Sequence, residues 1–344
     1  MRHPLARTAT ALVLLVGIAA AAEPFDRRYV ISAARSVVRV EAAEGGARYA
    51  VGTGTVIGPQ QVVTAHHVVR GARHVEVVSG GLRYRAAVRR ADPARDICVL
   101  EVSELPARPL PVRPSAELQI GETVAAVSYS GGAGLSFTTG EVVELHRFSG
   151  GEVVETTAAF TSGASGGALL DSAGRLVGLL MFRGINGARH FYAVPVEWLA
   201  DAAPAQAGDL PPFWQEAEAR LPYFMRAALL SGEARWDELE ALTVQWCREE
   251  PDNAEPFYLR ARIEMRHGQP QAAAQSYRQA IALDPRHALS WFGLTETMLQ
   301  LASDDCARLA HARLAELSAA LSRQAVLAHP QLNVPTEGGG CETF

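Results

Sequence analysis

The chain of 344 residues is long enough for two domains. Hydrophobic residues make up 48% of it and charged residues 20%, which describes an ordinary folded protein. The formal net charge is −5 and no block of lysine and arginine occurs, so we expect no nucleic-acid partner.

The N-terminal residues 1–22 have the pattern of a secretory signal peptide. Arg2 and Arg7 supply positive charge ahead of an almost entirely apolar run. The run ends in Ala20-Ala21-Ala22, the small side chains that signal peptidase accepts. It is short for a bilayer span, which disfavours the alternative of an uncleaved membrane anchor. We therefore expect cleavage near Ala22 and a periplasmic or secreted protein without a stable membrane span.

Residues 23–200 have the pattern of an all-β domain. From Ser36 to Leu199, short runs rich in β-branched residues alternate with glycine and proline. Many short strands with turn signals between them are typical of a sandwich or a barrel.

Three segments of this domain carry residues suited to acyl transfer. A serine, Ser165, stands among glycines, which allow the backbone to turn sharply and aim several N–H groups at one point. A serine hydroxyl needs a base, and an imidazole base needs a carboxylate to fix its tautomer. His67 and Asp96 precede Ser165, each in an apolar run, and this order is that of the chymotrypsin template. Alone, the glycine segment would equally fit a flexible turn.

Several motifs in this order resemble a trypsin-like serine protease of the bacterial HtrA/Deg-type branch. The matching segments are Ser36–Val40, Gly52–Ile57, Thr64–Val69, Asp96–Leu100, Gly163–Gly167, Gly174–Gly178 and Phe191–Val196. The resemblance implies a chymotrypsin-like double β-barrel with the site in the cleft between the barrels. His67 and Asp96 would come from the first barrel and Ser165 from the second.

The resemblance also chooses between neighbouring candidates. It assigns His67 rather than His66 as the general base. Adjacent residues of a strand point to opposite faces, so the two histidines do not easily share a metal ion. It assigns Asp96 as the carboxylate partner, whereas Asp92 precedes Pro93 in a turn, where aspartate often caps local backbone.

Ser165 is the expected nucleophile, with the backbone N–H groups of Gly163 and Ser165 as the oxyanion hole. Ser162 is the local competitor, but it lacks the flanking glycine pair. Ala164 stands where the trypsin branch has the aspartate that pairs with a new N-terminus. Activation by zymogen cleavage is therefore not expected.

The resemblance places the primary specificity pocket at Ala159 and Phe160. Neither residue is a carboxylate that could pair with lysine or arginine, so we expect a small or medium aliphatic residue before the scissile bond. Leu180 and Met181 lie in a segment, Leu179–Phe182, along which substrate backbone would add as a strand. Core packing alone is the alternative for this segment.

Residues 201–214 read as a linker, because Asp201–Pro212 is rich in proline and alanine and has no periodicity. At the other end of the chain, residues 329–344 form a short tail containing glycines, which we expect to be flexible.

Between linker and tail, residues 215–328 predict a helical domain. Pro251 and Pro285 are spaced by the period of a tetratricopeptide repeat, and Ala254–His287 resembles one such unit. The packing positions of its second helix would be Ala273, Tyr277 and Ala280. Such arrays bind extended protein segments in a concave groove, so we expect a protein partner here.

The four cysteines fit no close-spaced metal pattern, and we expect neither a metal nor a cofactor. Cys98 fits a small buried hydrophobe. A bridge between Cys247 and Cys306 is possible, but the sequence leaves the pairing of these two and Cys341 open.

The sequence thus predicts an exported serine endopeptidase whose helical repeats recruit a protein substrate or partner. One alternative is a catalytically silent protease-fold scaffold that acts through its repeats, and another is an esterase with the same triad. Only Glu23–Arg35 precedes the first strand, which leaves little material for a trimer interface and favours a monomer.

Overall fold

The computed structural model describes residues 27–45, 48–131, 134–183, 191–204, 211–333 and 341. The predicted signal peptide lies outside these residues. Within the described ranges, no helix is both long enough and apolar enough to cross a membrane.

The elements run in chain order from strands to helices. The β-rich part contains α1 (Arg27–Ala34), β1 (Val37–Gly45), β2 (Arg48–Gly58), β3 (Gln61–Ala65), α2 (His66–Val69), β4 (His74–Ser79), β5 (Leu82–Asp92), β6 (Ile97–Val102), β7 (Thr123–Ser128), β8 (Ser136–Phe148), β9 (Gly151–Thr156), β10 (Ala168–Asp171), β11 (Leu176–Arg183), β12 (Phe191–Pro195) and β13 (Ala203–Pro204). The helical part contains α3 (Tyr223–Gly232), α4 (Trp236–Glu249), α5 (Glu255–Arg266), α6 (Pro270–Leu283), α7 (Ala288–Gln300), α8 (Asp304–Leu317) and α9 (Ala319–Ala328). Short 3-10 helices cover Ser115–Glu117, Val196–Leu199, Phe213–Gln215, Glu218–Arg220 and Pro330–Asn333.

The first six strands close into a barrel in the order β5-β4-β1-β2-β3-β6, because β5 also pairs with β6. Burial alternates along β4, where Val75 and Val77 face the interior. In β2, a Cβ added to Gly54 would lie 2.5 Å from a methyl of Val62 and 2.9 Å from one of Val40. Glycine at this position therefore leaves room for the valine side chains of the two neighbouring strands, β1 and β3.

The second barrel closes in the order β10-β11-β12-β9-β8-β7. Leu169 and Leu180 belong to its own core, whereas Leu170 and Leu179 belong to a cluster shared with the first barrel. Since neighbouring residues of a strand point to opposite faces, β10 and β11 are buried on both faces, which explains their uninterrupted apolar runs. The predicted double β-barrel of chymotrypsin type is confirmed.

The C-terminal part is helical, as predicted. In α6, the side chains of Ala273, Tyr277 and Ala280 are buried, which are the positions expected to pack. Gly268, in the turn between α5 and α6, has a φ of +71°, a conformation that favours glycine. The assignment of these helices to the tetratricopeptide family stays a prediction.

The helical part packs against the second barrel and the residues that lead into it. Arg286 donates a hydrogen bond of 2.9 Å to the carbonyl of Ala116, and Ser318 Oγ donates one of 2.6 Å to the carbonyl of Ile120. The barrel and the helices thus meet along a continuous contact.

Residues within the predicted linker also pack on the first barrel. Ala203–Pro204 pairs with β5, and the backbone N–H of Phe213 donates to the carbonyl of Ala94 at 3.0 Å. Phe213 is buried. The segment that joins the two parts is therefore attached to the β-rich part at both of its described ends.

The disulfide joins Cys306 to Cys341, whose Cα atoms lie 5.2 Å apart. Cys247 is a free thiol, so the possible bridge from Cys247 to Cys306 is wrong. Because Cys306 lies in α8, the bridge attaches residue 341, which we predicted to lie in a flexible tail, to the helical part. The sequence offered two partners for Cys306, and spacing alone could not choose between them.

Candidate active site

His67 and Asp96 meet because they stand at adjoining strand ends. His67 is in α2, directly after β3, and Asp96 directly precedes β6, the strand that pairs with β3. The His67 backbone N–H donates to Asp96 Oδ1 at 2.8 Å, and His67 Nδ1 lies 2.6 Å from Asp96 Oδ2. The backbone of Asp96 has a φ of +61°, which is uncommon for a residue other than glycine. The rival carboxylate, Asp92, instead accepts the backbone N–H of Arg95 at 3.0 Å.

A third donor to Asp96 is Trp214, a residue that sequence reasoning missed. Its indole Nε1–H donates to Asp96 Oδ2 at 3.1 Å, and its ring meets the His67 ring edge-on at 5.5 Å between centroids. The other partner of the indole is Phe182, stacked at 5.5 Å with planes 15° apart. Asp96 is fully buried, and a buried carboxylate needs such donors to remain charged.

Trp214 escaped notice because it falls inside the predicted linker. The surrounding proline and alanine suggested a segment without tertiary contacts. The aromatic pair Phe213-Trp214 is the signal that could have revealed it. Large aromatic side chains usually bury much of their surface and are rarely exposed in a linker.

The loop that holds Ser165 is fastened to β2 of the first barrel. The backbone N–H of Thr53 donates to the carbonyl of Ser165 at 3.0 Å, and Thr53 Oγ1 donates to the carbonyl of Gly163 at 2.6 Å. Gly166 has a φ of +86°, and a Cβ there would lie 2.3 Å from the carbonyl oxygen of Thr53. The glycine pattern therefore permits close contact between the serine loop and the barrel that carries His67.

Ser165 Oγ donates to the carbonyl of Met181 at 3.4 Å. Among the residues that the structure describes, it makes no hydrogen bond to the ring of His67, whose Nδ1 is the nitrogen bound to Asp96. The structure thus assembles the histidine–aspartate pair and brings the serine loop against the same barrel, with the hydroxyl turned toward β11.

Two backbone N–H groups of the serine loop stay open. The N–H groups of Gly166 and Gly167 donate to the carbonyls of Leu180 and Ala164, each at 2.8 Å. Within the described part of the chain, those of Gly163 and Ser165 donate to no group. Open N–H groups beside a hydroxyl are what an oxyanion hole requires.

The residues expected to bind substrate fall into different environments. Ala159 is exposed, whereas Phe160 is buried and its ring centroid lies 5.2 Å from that of Phe191. Leu180 uses its N–H and its carbonyl to bind Gly167 and Gly166 at 2.8 Å. Leu180 therefore supports the serine loop, and the strand edge next to Ser165 begins only at Met181.

Cys98 lies in β6 close to Asp96 and is fully buried, as expected for a small hydrophobe. Burial, reinforced by the negative charge of Asp96, raises the pKa of the Cys98 thiol to about 12. The thiol is thus protonated at neutral pH and is a poor nucleophile.

Residues 52–179 match the family model described as the trypsin-like peptidase domain. The β-rich part of the chain is therefore similar to trypsin-like peptidase domains. The matched residues include His67, Asp96 and Ser165, whereas Trp214 lies outside the matched part of the chain.

Several proteins similar to the β-rich part are named serine proteases. Serine protease Rv3671c of Mycobacterium tuberculosis is 30% identical over 207 residues, which cover 52% of this chain and 52% of that protein. A Buchnera aphidicola protein named "Probable periplasmic serine endoprotease DegP-like" is 31% identical over 144 residues, covering 39% of this chain and 31% of that protein. The crystal structure of the Rv3671c protease in its active form aligns with a TM-score of 0.49 at 28% identity, covering 60% of this chain and 98% of that chain. The chain spans about half the length of the Mycobacterium relative and less of the Buchnera relative.

Proposed function

We propose that this protein is a serine endopeptidase that hydrolyses peptide bonds in a protein or peptide substrate through an acyl-enzyme. The observation that carries the proposal is the His67–Asp96 pair, 2.6 Å between Nδ1 and Oδ2, beside the Ser165 loop and its two open N–H groups. The serine protease relatives of the peptidase domain support the same activity.

In the proposed mechanism Ser165 Oγ turns from Met181 toward His67 and attacks the substrate carbonyl. His67 Nε2 accepts the serine proton, and Asp96 stabilises the resulting imidazolium through Nδ1–H. The N–H groups of Gly163 and Ser165 donate to the oxyanion of the tetrahedral intermediate. His67 then gives its proton to the leaving amine, and a water molecule, activated by the same imidazole, hydrolyses the acyl-enzyme.

Trp214 acts in this mechanism as a positioning residue. Its indole N–H occupies the second lone-pair region of Asp96 Oδ2, the oxygen that also binds His67. Its ring edge rests against the imidazole and limits how the imidazole tilts. Trp214 therefore holds the base in the orientation that proton transfer needs.

The proposed specificity is for a small or medium aliphatic residue before the scissile bond. Ala159 and Phe160 offer no carboxylate, and the Phe160 ring is packed on Phe191. Mass-spectrometric mapping of cleavage sites in a denatured protein tests this, and a strict preference for lysine or arginine would contradict it.

We also propose that the protein is exported and that the helical part recruits a protein partner or substrate. The pattern of residues 1–22 and the periplasmic name of one relative support export. Fractionation of cells that express the full chain tests the location, and recovery of the uncleaved chain in the cytoplasm would contradict it.

A silent scaffold is the second candidate, and one observation favours it. Ser165 Oγ is bonded to the carbonyl of Met181 rather than to His67. If this arrangement is permanent, the hydroxyl is never activated and the helical part carries the function.

Labelling with a fluorophosphonate separates the two candidates, since the probe reacts only with an activated serine. We expect the wild type to be labelled, and Ser165→Ala and His67→Ala to be unlabelled, while Ser162→Ala serves as the matched control and keeps its label. Release of peptides from a protein substrate by the same samples then distinguishes an endopeptidase from an esterase. A well-folded wild type that takes no label would refute the peptidase and leave the scaffold.

A further inference from the structure

A second group of titratable side chains lies where the second barrel meets the helical part. Glu144 and His146 project from β8, and Glu255 is the first residue of α5. One carboxylate oxygen of each glutamate and one ring nitrogen of His146 all lie within 4.8 Å of one another. His146 Nδ1 is 2.8 Å from Glu255 Oε1. Imidazole nitrogen and carboxylate oxygen at this spacing are a donor set for a metal ion.

Glu155, in the neighbouring strand β9, supplies the support that a metal-bound histidine requires. His146 Nε2 lies 2.9 Å from Glu155 Oε2, on the side of the ring away from Glu255. A carboxylate that accepts Nε2–H fixes the tautomer and leaves the Nδ1 lone pair directed at the other carboxylates. Glu155 and His146 are therefore arranged like the carboxylate–histidine pairs that surround bound transition metals.

The burial of Glu255 is an independent indication that this group of side chains can bind a cation. Glu255 is only 8% exposed, and its Oε2 is buried without a hydrogen-bond partner among the described residues. A buried carboxylate oxygen without a donor is costly, by about 1–3 kcal/mol or more. A cation on this oxygen would satisfy it.

The charge of the site points to a divalent ion. Burial raises the pKa of Glu144 to about 8 when no cation is bound. With a cation bound, all three glutamates ionised and His146 neutral, Glu144, Glu155 and Glu255 contribute three negative charges, and the nearby guanidinium of Arg262 contributes one positive charge. The sum is −2, which one divalent cation neutralises. These side chains line a cavity of about 320 Å³ with room for the water molecules that complete a coordination shell.

We propose that Glu144, His146 and Glu255 bind a divalent transition-metal ion such as Zn²⁺, with Glu155 orienting the histidine. An imidazole ligand favours Zn²⁺ over Mg²⁺ and Ca²⁺, which prefer all-oxygen sites. Because two ligands come from the second barrel and one from α5, the ion joins the helical part to the peptidase domain. The site is separate from the Ser165 loop, and its test does not depend on peptidase activity.

A proton is the competitor of the metal. Burial alone would lower the pKa of His146, but the carboxylates of Glu255 and Glu155 outweigh burial and hold that pKa well above its ordinary value. Without metal, an imidazolium between two carboxylates is therefore the alternative occupant. Titration with Zn²⁺ distinguishes the two occupants, because a group that holds only a proton does not bind Zn²⁺ stoichiometrically.

Calorimetric titration of the chelator-treated full chain with ZnCl₂ tests the proposal. Cys247, a partly buried free thiol, is replaced by serine in every sample so that it cannot bind the metal. We expect about one equivalent to bind, and Glu144→Gln and Glu255→Gln to weaken binding at least ~10-fold. The matched control is Glu141→Gln, an exposed carboxylate of the same strand, which should bind Zn²⁺ like the parent.

A second measurement covers the case in which a variant does not fold. Co²⁺ bound to the parent protein should give the visible absorption of a site with a nitrogen ligand, and Zn²⁺ should displace it. Thermal unfolding of the parent should shift upward with Zn²⁺ and return after chelation. Absence of stoichiometric binding to the folded parent would overturn the proposal, and so would binding that both glutamine variants leave unchanged.

Discussion

Two histidines of this protein lie against carboxylates, and they differ in the hydrogen-bond partner of the second ring nitrogen. His67 binds Asp96 through Nδ1, and within the described residues its Nε2 makes no hydrogen bond. His146 meets Glu255 through Nδ1 and Glu155 through Nε2. The His67 side chain is 23% exposed, whereas that of His146 is 4% exposed.

This difference separates a proposed base from a binding group. A general base needs one lone pair open toward the reacting proton and a carboxylate behind the other nitrogen, which is the arrangement of His67. His146 has a carboxylate on each side, so it can hold a proton or a metal ion between elements of the fold but cannot relay a proton to substrate. Each of the following predictions tests one side of this contrast.

The largest expected effect is the loss of peptidase activity in His67→Gln. Glutamine can donate to Asp96 but cannot accept the proton of Ser165, so kcat/KM should fall by about 10⁴-fold or more while the protein stays folded. Hydrolysis of a fluorescent casein and near-ultraviolet circular dichroism measure the two quantities. Activity above about 1% of wild type would show that His67 is not the base.

The complementary change, His146→Gln, should affect stability instead. It breaks the buried contact between the second barrel and α5 and leaves Glu155 and Glu255 facing each other. We expect the free energy of unfolding to fall by about 3 kcal/mol, because removing one partner of a buried pair leaves an uncompensated charge. Urea denaturation measures it. A folded variant with unchanged stability and no activity would reverse the roles assigned to the two histidines.

Trp214→Phe tests the description of His67, because it keeps an aromatic ring but removes the indole N–H together with part of the ring surface. We expect kcat to fall about 10-fold, equivalent to about 1.4 kcal/mol, with little change in KM and a shifted pH–rate profile. The matched control is Trp246→Phe in α4, which removes a similar 2.8 Å bond from an indole to Glu250. An equal loss of kcat in the control would mean that the effect comes from stability rather than from orientation.

The smallest expected effect concerns a third histidine, His287, whose Nδ1 accepts hydrogen bonds at the start of α7. The donors are the backbone N–H of Ser290 at 3.2 Å and Ser290 Oγ at 2.8 Å. Burial lowers the pKa of His287 to about 4, against the opposing negative charge of Asp284. The folded chain therefore keeps this ring neutral.

The sign of the pH dependence follows from that lowered pKa. The unfolded chain binds a proton near the ordinary value of 6.5, so the stability from this helix cap is complete above pH 6.5 and is lost as pH falls toward 4. His287→Asn caps the helix without titrating, and it should remove about 2 kcal/mol of this acid sensitivity between pH 7 and pH 5. Thermal unfolding between pH 7 and pH 5 measures it, and equal acid sensitivity in both proteins would contradict the assignment.

The sequence predicted the parts of the fold that depend on local pattern. Short runs of β-branched residues predicted a sandwich or a barrel, glycine spacing singled out the Ser165 loop, and the family resemblance implied the double barrel. Chain order paired His67 with Asp96, which the structure places in contact. The strand runs and the glycine segment each span fewer than about ten residues, where side-chain period and turn chemistry act directly. The order of His67 and Asp96 spans 29 residues and was interpreted through the family resemblance.

What the sequence did not predict depends on contacts between distant segments. Trp214 lies 118 residues from Asp96, and Glu255 lies 109 residues from His146. No local pattern encodes either pair, because packing of one element on another determines which side chains meet. The pairing of Cys306 with Cys341 escaped prediction for the same reason, since it follows from how α8 and the tail lie together.

The bond from Trp214 to Asp96 also bears on how such a protein can be inherited. A recombination event with its breakpoint just after β12 would remove Trp214 together with the helical part. Trp214 lies beyond residue 179, where the family match ends. Descendants of that event would keep His67, Asp96 and Ser165 but lose a donor that holds Asp96 in place. The segment up to Trp214 is therefore expected to be inherited together with the barrels, so that a breakpoint between the two parts is tolerated only beyond residue 214.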